Sequence, residues 1–377
     1  MLNLAPQTRV YAGFVTYSFA MGNIFPRLAD VQAGMGVTTA ELGMGLIGAP
    51  IGTLLSLSFS AKLMERIGYG RALPLAIPIL ACLYAMAVRA PDPLTLFLLL
   101  IPTGVAIGCI ELMLNAEADR TEARIGRRIM NRSHAFWSIG FFAAGLFGAR
   151  IAATGISPQD HLLIVIPIVT LGALVALWGY DPSPSTDTHE APLFALPTPG
   201  VLLIILVTVP AMLLEGASMD WSAIYMRDAF QASEFWQGIA VSSFAVLQGA
   251  MRFFADGVVE RYSPAGLARV LLASLLVGCL IVVFSPFASL SLLGFALMGL
   301  GTSAIFPLAV SAAARRGDRP ASVNIAAVAQ FAFIMFLIGP PMLGHVAHGF
   351  GIRAAFAVGL PFVVISLLTA GALGRNR

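Results

Sequence analysis

The sequence predicts an all-α polytopic membrane protein with twelve transmembrane helices in two pseudo-symmetric six-helix bundles and cytoplasmic N and C termini. Three observations lead to this fold class. Of the 377 residues, 58% are hydrophobic and only 11% are charged, whereas a soluble domain carries about 25% charged residues. The apolar residues form runs of about 20, the length of a spanning helix. The two halves of the chain also resemble each other.

The apolar runs divide into six before and six after a polar, proline-rich segment. That segment, DPSPSTDTHEAPLFALPTP, is typical of a flexible linker. We therefore predict an N-terminal bundle over 1–180, a cytoplasmic linker over 181–199 and a C-terminal bundle over 200–377. The predicted spans lie near 9–29, 42–60, 72–90, 94–116, 133–155, 161–180, 200–225, 236–255, 265–285, 287–312, 321–347 and 352–373.

The basic residues indicate the orientation, because loops rich in Lys and Arg stay in the cytoplasm. With both termini inside, most of the 22 basic residues, Arg252 among them, fall on the inner side. The exceptions on the outer side are Arg27, Arg89, Arg150, Arg227 and Arg353. The first residues, MLNLAPQTRV, lack the pattern of a signal peptide, so we expect the first span to stay in the mature protein.

A shift of 195 residues overlays the first half of the chain on the second. Glu65-Arg66 then falls on Glu260-Arg261, Gly43 on Gly238, and Gly104 on Gly299. Two six-helix repeats in the same orientation are a known transporter plan, in which the substrate site lies between the repeats near mid-membrane.

Three segments resemble a known family. AKLMERIGYGR (61–71) is similar to the GxLaDRxGrr motif of the major facilitator superfamily: Arg66, Gly68 and Arg71 match, while Ala61 and Glu65 replace the usual Gly and Asp. GRRIMNRSHAFWSIG (126–140) and LEGASMDWSAIYMRD (214–228) resemble its YbjJ-like bacterial permeases. The resemblance covers nearly the whole chain. It implies the two-bundle fold, alternating access and a bacterial inner-membrane location, but no substrate.

Several other function classes are disfavoured. A phosphate-binding loop needs a Lys, and the only one is Lys62, in AKLM. The three cysteines lie in apolar runs without metal-ligand spacing, so we expect small buried side chains. We therefore predict no enzyme activity, no metal and no cofactor. The GPxxGG-like element of drug/proton antiporters is missing from the fifth span, SIGFFAAGLFGARIA, and is resembled only by IGPPMLG (338–344), which weakens the drug-efflux interpretation.

Glu215 is the predicted proton-coupling residue. A charge near the bilayer centre costs about 2.5–3.5 kcal/mol, so this side chain either faces the cavity and exchanges a proton or forms a structural hydrogen bond. The other cavity candidates are open to the same two interpretations, substrate contact or helix packing. They are Asn23, Glu111, Asn115, His134, Trp137, Gln248 and Gln330. This mixed polar set favours a neutral or cationic solute over a multivalent anion.

Two gates are predicted. Arg27 and Asp220 are expected to pair at the outer end, unless Asp220 lies in a solvated loop. At the inner end, the resemblance assigns gating to Glu65, Arg66, Gly68 and Arg71, with Asp256, Glu260 and Arg261 in the equivalent place of the second half. The basic loops 117–132 and 314–320 belong to this gate or bind anionic lipid headgroups.

These observations predict a secondary active transporter that moves a small solute across the inner membrane by alternating access, coupled to protons. The alternatives are an efflux pump for amphipathic compounds by proton antiport and, more distantly, a membrane sensor that does not transport. The expected partners are a small-molecule substrate, protons and membrane lipids, with no nucleic acid, and the expected state is a monomer.

Overall fold

The computed structural model describes residues 4–177 and 195–374, apart from the side chains of 61, 62, 64, 65, 255, 256, 259 and 260. Within these ranges the chain forms helices and no strand, which confirms the predicted all-α class. Most of the predicted linker, 181–199, lies outside the described residues. We call residues 4–177 the N-terminal half and residues 195–374 the C-terminal half.

The helices follow the predicted spans closely. In the N-terminal half they are α1 (Pro6–Gly22), a 3-10 turn (Phe25–Arg27), α2 (Leu28–Met35), α3 (Thr39–Leu46), α4 (Gly48–Leu57), α5 (Ser60–Ile67), α6 (Tyr69–Ala87), α7 (Pro93–Ile125), α8 (Met130–Ala152) and α9 (Pro158–Leu177). In the C-terminal half they are α10 (Pro199–Phe230), α11 (Glu234–Arg261), α12 (Pro264–Phe284), α13 (Ala288–Thr302), α14 (Ile305–Ala314), α15 (Ala321–Phe350), α16 (Ile352–Ala357), α17 (Gly359–Thr369) and a 3-10 turn (Ala370–Gly374).

The sequence marks several helix ends. Asp92, Thr198 and Ser263 each precede a proline and accept a hydrogen bond from a main-chain N–H of the first turn, at 2.9, 3.4 and 3.1 Å. Such residues satisfy main-chain donors that have no partner inside the helix, and proline fits the first helical position because it has no N–H to lose. Gly126 ends α7 at φ 66°, a left-handed conformation that favours glycine.

Ten of the described helical segments are long and apolar enough to cross a membrane. Side chains such as Phe284 and Leu368, which are 73% and 81% exposed, suit contact with lipid. The predicted first and eighth spans are helical but not among the ten. The first is interrupted after Gly22, and the eighth, α11, is described only in part. Twelve spans and cytoplasmic termini therefore stay predictions.

The internal repeat is visible in the packing of α7 on α4 and of α13 on α11. A Cβ added at Gly104 would collide with the Ala49 carbonyl oxygen, and one at Gly299 would collide with the Phe244 carbonyl oxygen. Ala49 and Phe244 are themselves 195 residues apart. Each glycine thus allows close approach to an equivalent turn of an equivalent helix. Of the cysteines, Cys109 and Cys279 are buried as expected, whereas Cys82 is exposed.

Two ends of the molecule are distinguished below. The linker end carries the start of α10 and the loop between α14 and α15. The far end carries the connections that follow α2, α6, α8, α10, α12 and α15. At the far end, α15 packs closely against α3 but only slightly against α4. The Thr39 hydroxyl donates to the Gly344 carbonyl at 3.0 Å, and a Cβ at Gly43 would lie 2.5 Å from the Pro340 carbonyl. The two halves are therefore in direct contact at this end.

Candidate functional site

The two halves also meet along α8 and α11, where small residues let the helices approach closely. A Cβ at Gly238 would lie 2.6 Å from the Ala149 Cβ, and one at Gly249 would lie 2.9 Å from the Ser138 Cβ. The Ser242 hydroxyl donates to the Phe142 carbonyl across this seam at 3.1 Å. Side chains at the mid-depth of this seam can therefore reach groups in both halves.

Glu215, the predicted coupling residue, lies at this depth on α10 and is 8% exposed. Its Oε1 accepts a hydrogen bond from Gln248 Nε2 at 2.9 Å and an ion-paired one from Arg252 Nη2 at 3.3 Å. Gln248 also donates to the Thr302 hydroxyl at 3.4 Å. The Glu215 charge is therefore held by two neighbouring side chains on α11.

Arg252 connects the two halves. It donates to Glu215 and, through Nε, to the Ser303 carbonyl at 3.2 Å, both in the C-terminal half. Its Nη1 donates to the Ser138 hydroxyl on α8 at 3.2 Å, in the N-terminal half. The Ser303 carbonyl lies at the break between α13 and α14, where the regular ladder of helical hydrogen bonds is interrupted. One guanidinium thus contacts both halves and the acidic side chain.

The sequence alone places Arg252 among the inner-side charges and does not indicate its partner. The structure places it inside α11 and against Glu215 instead. Gln248 and Arg252 are four residues apart, and helical residues at this spacing share a face. Two polar side chains at this spacing in an otherwise apolar span are the sequence feature that indicates a polar face on α11. Ser138 was missed as well, because a hydroxyl within an apolar span is common and carries little information alone.

The N-terminal half contributes a second polar group next to this one. His134 Nε2 and Asn115 Oδ1 lie 3.2 Å apart, and Asn115 Nδ2 donates to the Glu111 carbonyl at 2.9 Å. The His134 carbonyl accepts a hydrogen bond from the Ser138 hydroxyl at 3.2 Å, and that hydroxyl accepts one from Arg252. The structure therefore brings the predicted residues Asn115, His134, Gln248 and Glu215 into one continuous polar region around Arg252.

A third group lies among α1, α6, α7 and α10. The Tyr17 hydroxyl donates to Glu111 Oε1 at 3.0 Å. The Tyr84 hydroxyl is within electrostatic range of both Asp220 and Glu111. Tyr17 and Tyr84 are 0% and 3% exposed, and neither was singled out in the sequence. Asp220 lies within α10 and is partly buried, so it is not in a solvated loop.

Three predicted cavity residues have other surroundings. Asn23 is fully buried, donates to the Phe19 carbonyl at 2.7 Å and bonds His161 at 3.0 Å, so it holds the break after α1 and does not line a cavity. Gln330 accepts from the Ala195 N–H at 3.2 Å, which puts it beside the segment that leads into α10 rather than at mid-depth. Trp137 is half-buried and stacks on Phe141 with ring centroids 5.1 Å apart.

The predicted outer gate between Arg27 and Asp220 is wrong. Arg27 is buried, pairs with Asp30 at 2.7 Å and donates to the Ile156 carbonyl at 3.0 Å. Its side chain therefore contacts partners within the N-terminal half and does not reach Asp220. Arg227 connects the halves instead: it donates to the Ala29 carbonyl at 2.8 Å and to Gln32 Oε1 at 2.7 Å.

The predicted inner gate is described only in part. The side chains of Glu65, Asp256 and Glu260 lie outside the described residues. Arg66, Arg71 and Arg261 are exposed, and none of them forms an ion pair with a described side chain. Gly68 adopts φ 83° between α5 and α6, a conformation open to glycine without strain. The role of these residues in gating stays a prediction.

Comparison with known proteins identifies the class. The chain is 31% identical to the uncharacterized transporter y4wD of Sinorhizobium fredii over 370 residues, covering 97% of both chains. It is 25% identical to an uncharacterized MFS-type transporter of Yersinia pestis over 379 residues, covering 99% of this chain and 96% of the relative. No family model matches the sequence.

Solved structures agree with these relatives. The nucleoside transporter NupG has a TM-score of 0.69 at 15% identity, covering 98% of this chain and 98% of that one. The D-xylose-proton symporter has a TM-score of 0.74 at 12% identity, covering 97% and 96%. The chain belongs to the major facilitator superfamily of membrane transporters. The predicted family is therefore confirmed, and its YbjJ-like branch stays a prediction.

Proposed function

We propose that this protein is a proton-coupled secondary transporter, which carries a small solute across the bacterial inner membrane by alternating access. Its homologues are transporters. The observation that carries the coupling proposal is the position of Arg252, which contacts Glu215 in its own half and Ser138 in the other.

Proton uptake and movement of the halves are linked through this guanidinium. Protonating Glu215 while Arg252 is in contact would leave a largely buried cation without its counter-charge, and removal of one partner from a buried pair costs about 3–5 kcal/mol. In this proposal, proton transfer to Glu215 is therefore accompanied by movement of Arg252 away from it. Because Arg252 also bonds Ser138, such a movement breaks a contact between the halves.

Closure of the far end supports alternating access. The contacts at Arg227, Thr39 and Gly43 join the two halves there. With the termini in the cytoplasm, this arrangement is closed to the outside. Reorientation would break these contacts and form others at the linker end, where the exposed Arg66, Arg71 and Arg261 are available.

The test uses purified protein in proteoliposomes with an inward proton gradient and a panel of labelled sugars, nucleosides, amines and organic acids. For a transported solute, Glu215→Gln is expected to abolish accumulation against a gradient and to keep counterflow, which needs no net proton movement. Glu234→Gln is the matched control, since Glu234 is exposed at the start of α11. Uphill accumulation by Glu215→Gln at the wild-type level would contradict the coupling role.

Arg252→Gln alone leaves Glu215 buried and unpaired, so this variant is expected to lose stability. The double variant Glu215→Gln/Arg252→Gln restores a neutral pair and keeps the proposal testable. We expect it to fold, to show counterflow and to lack proton coupling. A non-additive effect of the two changes on the thermal midpoint would measure the interaction directly, and strict additivity would contradict the pairing.

A further inference from the structure

Arg252 keeps part of its hydrogen-bonding capacity free. A guanidinium group has five N–H donors, and three of them serve the Ser303 carbonyl, the Ser138 hydroxyl and Glu215 Oε1. The other two have no partner among the described residues. The Arg252 side chain is 17% exposed, and it is therefore open to a small molecule.

This exposed part of Arg252 faces the space between the two halves. Residues two positions apart on a helix point about 200° apart, and Phe254, which is 65% exposed, marks the outward side of α11. The contacts of Arg252 lie on the other side, with α8, α10 and the break between α13 and α14. A solute between the halves can therefore meet the guanidinium group.

The ion pair between Arg252 and Glu215 is a single contact. Arg252 Nη2 lies 3.3 Å from Glu215 Oε1, whereas ionised pairs of arginine and carboxylate are frequently bidentate, with two bonds of about 2.7–2.9 Å. Glu215 Oε2 bonds no residue in the described part of the chain. A second carboxylate that binds the guanidinium group through both of its oxygens can therefore compete with Glu215.

We propose that Arg252 binds the carboxylate of a monoanionic organic solute, which replaces Glu215 as its counter-charge while Glu215 accepts a proton. This names the solute class of the proposed transporter and therefore rests on that function. The hydrogen bond between Arg252 and Glu215 breaks, and the guanidinium group bonds the solute instead. One proton from solution bonds to a carboxylate oxygen of Glu215. The group of charges is neutral overall before and after the exchange.

Charge balance favours a carboxylate over a neutral or cationic solute. Protonation of Glu215 leaves Arg252 without a counter-charge, which is strongly unfavourable for a buried pair, and only an anion restores it. A neutral or cationic solute, which the polar residues favour in the sequence alone, cannot do so. Arg252 is the only arginine that bonds this group among the described residues. One cation matches one negative charge, so a multivalent anion is disfavoured.

Gln248 fits a carboxyl group that changes its protonation state. Its Nε2 donates to Glu215 Oε1 at 2.9 Å, while its Oε1 is buried and bonds no described residue. A carboxylate only accepts hydrogen bonds, whereas a protonated carboxyl group also donates one. An amide that carries both a donor and an acceptor can therefore bond Glu215 in either state.

Two other titratable side chains lie near this group in the N-terminal half. The His134 carbonyl accepts a hydrogen bond from the Ser138 hydroxyl. His134 also bonds Asn115, and Asn115 donates to the Glu111 carbonyl. The experiment therefore has to assign the proton to Glu215 rather than to His134 or Glu111.

The first measurement is the thermal midpoint of the full-length, detergent-purified protein with matched pairs of probes. The pairs are sodium propionate and propionamide, sodium benzoate and benzamide, and sodium galacturonate and galactose. Each neutral probe is accompanied by sodium chloride at the same concentration, which matches the ionic strength and tests chloride as the anion. At least one carboxylate is expected to raise the midpoint above its neutral partner.

Variants then assign the two roles. Glu215→Gln is expected to bind that carboxylate about tenfold or more tightly, because the solute no longer competes with the protein's own carboxylate. Glu215→Gln/Arg252→Gln is expected to bind it about tenfold or more weakly than wild type. Glu234→Gln should match wild type. In weakly buffered solution with a pH-sensitive dye, wild type is expected to take up close to one proton per carboxylate bound, and Glu215→Gln none.

Four results would overturn the proposal. They are equal stabilisation by a carboxylate and its neutral partner throughout the panel, binding by wild type without proton uptake, full binding by the double variant, and proton uptake that persists in Glu215→Gln. The wild-type proton measurement decides the matter even if a variant fails to fold. Proton-linked carboxylate binding without flux in proteoliposomes would support this site and refute transport. Proton-driven accumulation of a neutral solute only would refute this site and keep the transporter.

Discussion

Replacing Arg227 with glutamine tests whether the far end is held closed by the contacts seen in the structure. Arg227 donates to the Ala29 carbonyl and the Gln32 side chain, both in the N-terminal half. Each hydrogen bond contributes a net of about 0.5–1.5 kcal/mol, so their loss removes about 1–3 kcal/mol from the closed state. That free energy corresponds to about a 5- to 150-fold change in the ratio of closed to open molecules. Because the Arg227 side chain is 29% exposed, water competes for it and the lower part of this range applies.

The assay is a distance distribution between spin labels on Ala33→Cys and Ser233→Cys, two exposed far-end positions on opposite halves. Cys82, which is exposed, has to be replaced, and the buried Cys109 and Cys279 are replaced with it. We expect Arg227→Gln to add or enlarge a population of molecules in which the two spin labels lie farther apart. With a transported solute, the same change should also alter the rate of counterflow.

Arg353→Gln is the matched control. Arg353 is another far-end arginine, but it donates to the Val283 carbonyl at 3.0 Å and lies over the Phe230 ring, all within the C-terminal half. Its loss should leave the distances unchanged. If Arg227→Gln gives the wild-type distribution, or if both variants shift it equally, the reasoning that Arg227 joins the halves is refuted.

Two further predictions concern packing and the linker end. Gly299→Ala places a Cβ against the Phe244 carbonyl and should lower stability by about 1–3 kcal/mol, seen as a lower thermal midpoint. Gly349→Ala, where a Cβ meets nothing within 4 Å, should not lower it, and equal losses would refute the packing argument. Hydrogen bonds from Thr198, Asn324 and Arg316 hold the pKa of Asp318 well below its ordinary value. Their stabilisation is therefore full above the ordinary carboxyl pKa and is lost as the pH falls towards the lower folded value. At neutral pH, Asp318→Asn should speed proteolytic cleavage at residues 195–198, whereas Asp119→Asn, at an exposed position, should not; equal rates would contradict this anchoring role.

The spans were predictable because lipid imposes a simple rule. Every main-chain polar group in the bilayer needs a partner, so apolar runs of sufficient length become helices. The helices α6, α8, α9 and α12 accordingly lie within a few residues of the predicted spans. The interruption after Gly22 was not predicted. At the interruption Asn23 bonds His161, a residue 138 positions away, and no local pattern encodes that contact.

The sequence predicts that an acidic side chain forms the site, but it does not predict which side chain pairs with it. A glutamate within an apolar run carries a cost that requires an explanation, and this makes Glu215 a predictable site residue. Its partner Arg252 is not predictable in this way, because in the sequence it is one of several basic residues near the ends of the spans. The same limitation misassigned Arg27 to Asp220. An arginine side chain reaches far enough to choose among several acceptors, and the nearest one depends on how the helices pack.

The amino-acid sequence by itself determined the helical membrane fold, the approximate span limits and the internal repeat, since these follow from hydropathy, turn residues and spacing along one chain. Only the tertiary structure decided which charges meet: Arg252 with Glu215 and Ser138, Arg227 with the N-terminal half, and Glu111 and Asp220 with no cation among the described residues. Such pairings depend on the relative depth and rotation of helices distant in sequence. Those quantities are set by side-chain packing between helices rather than by any periodicity within one of them.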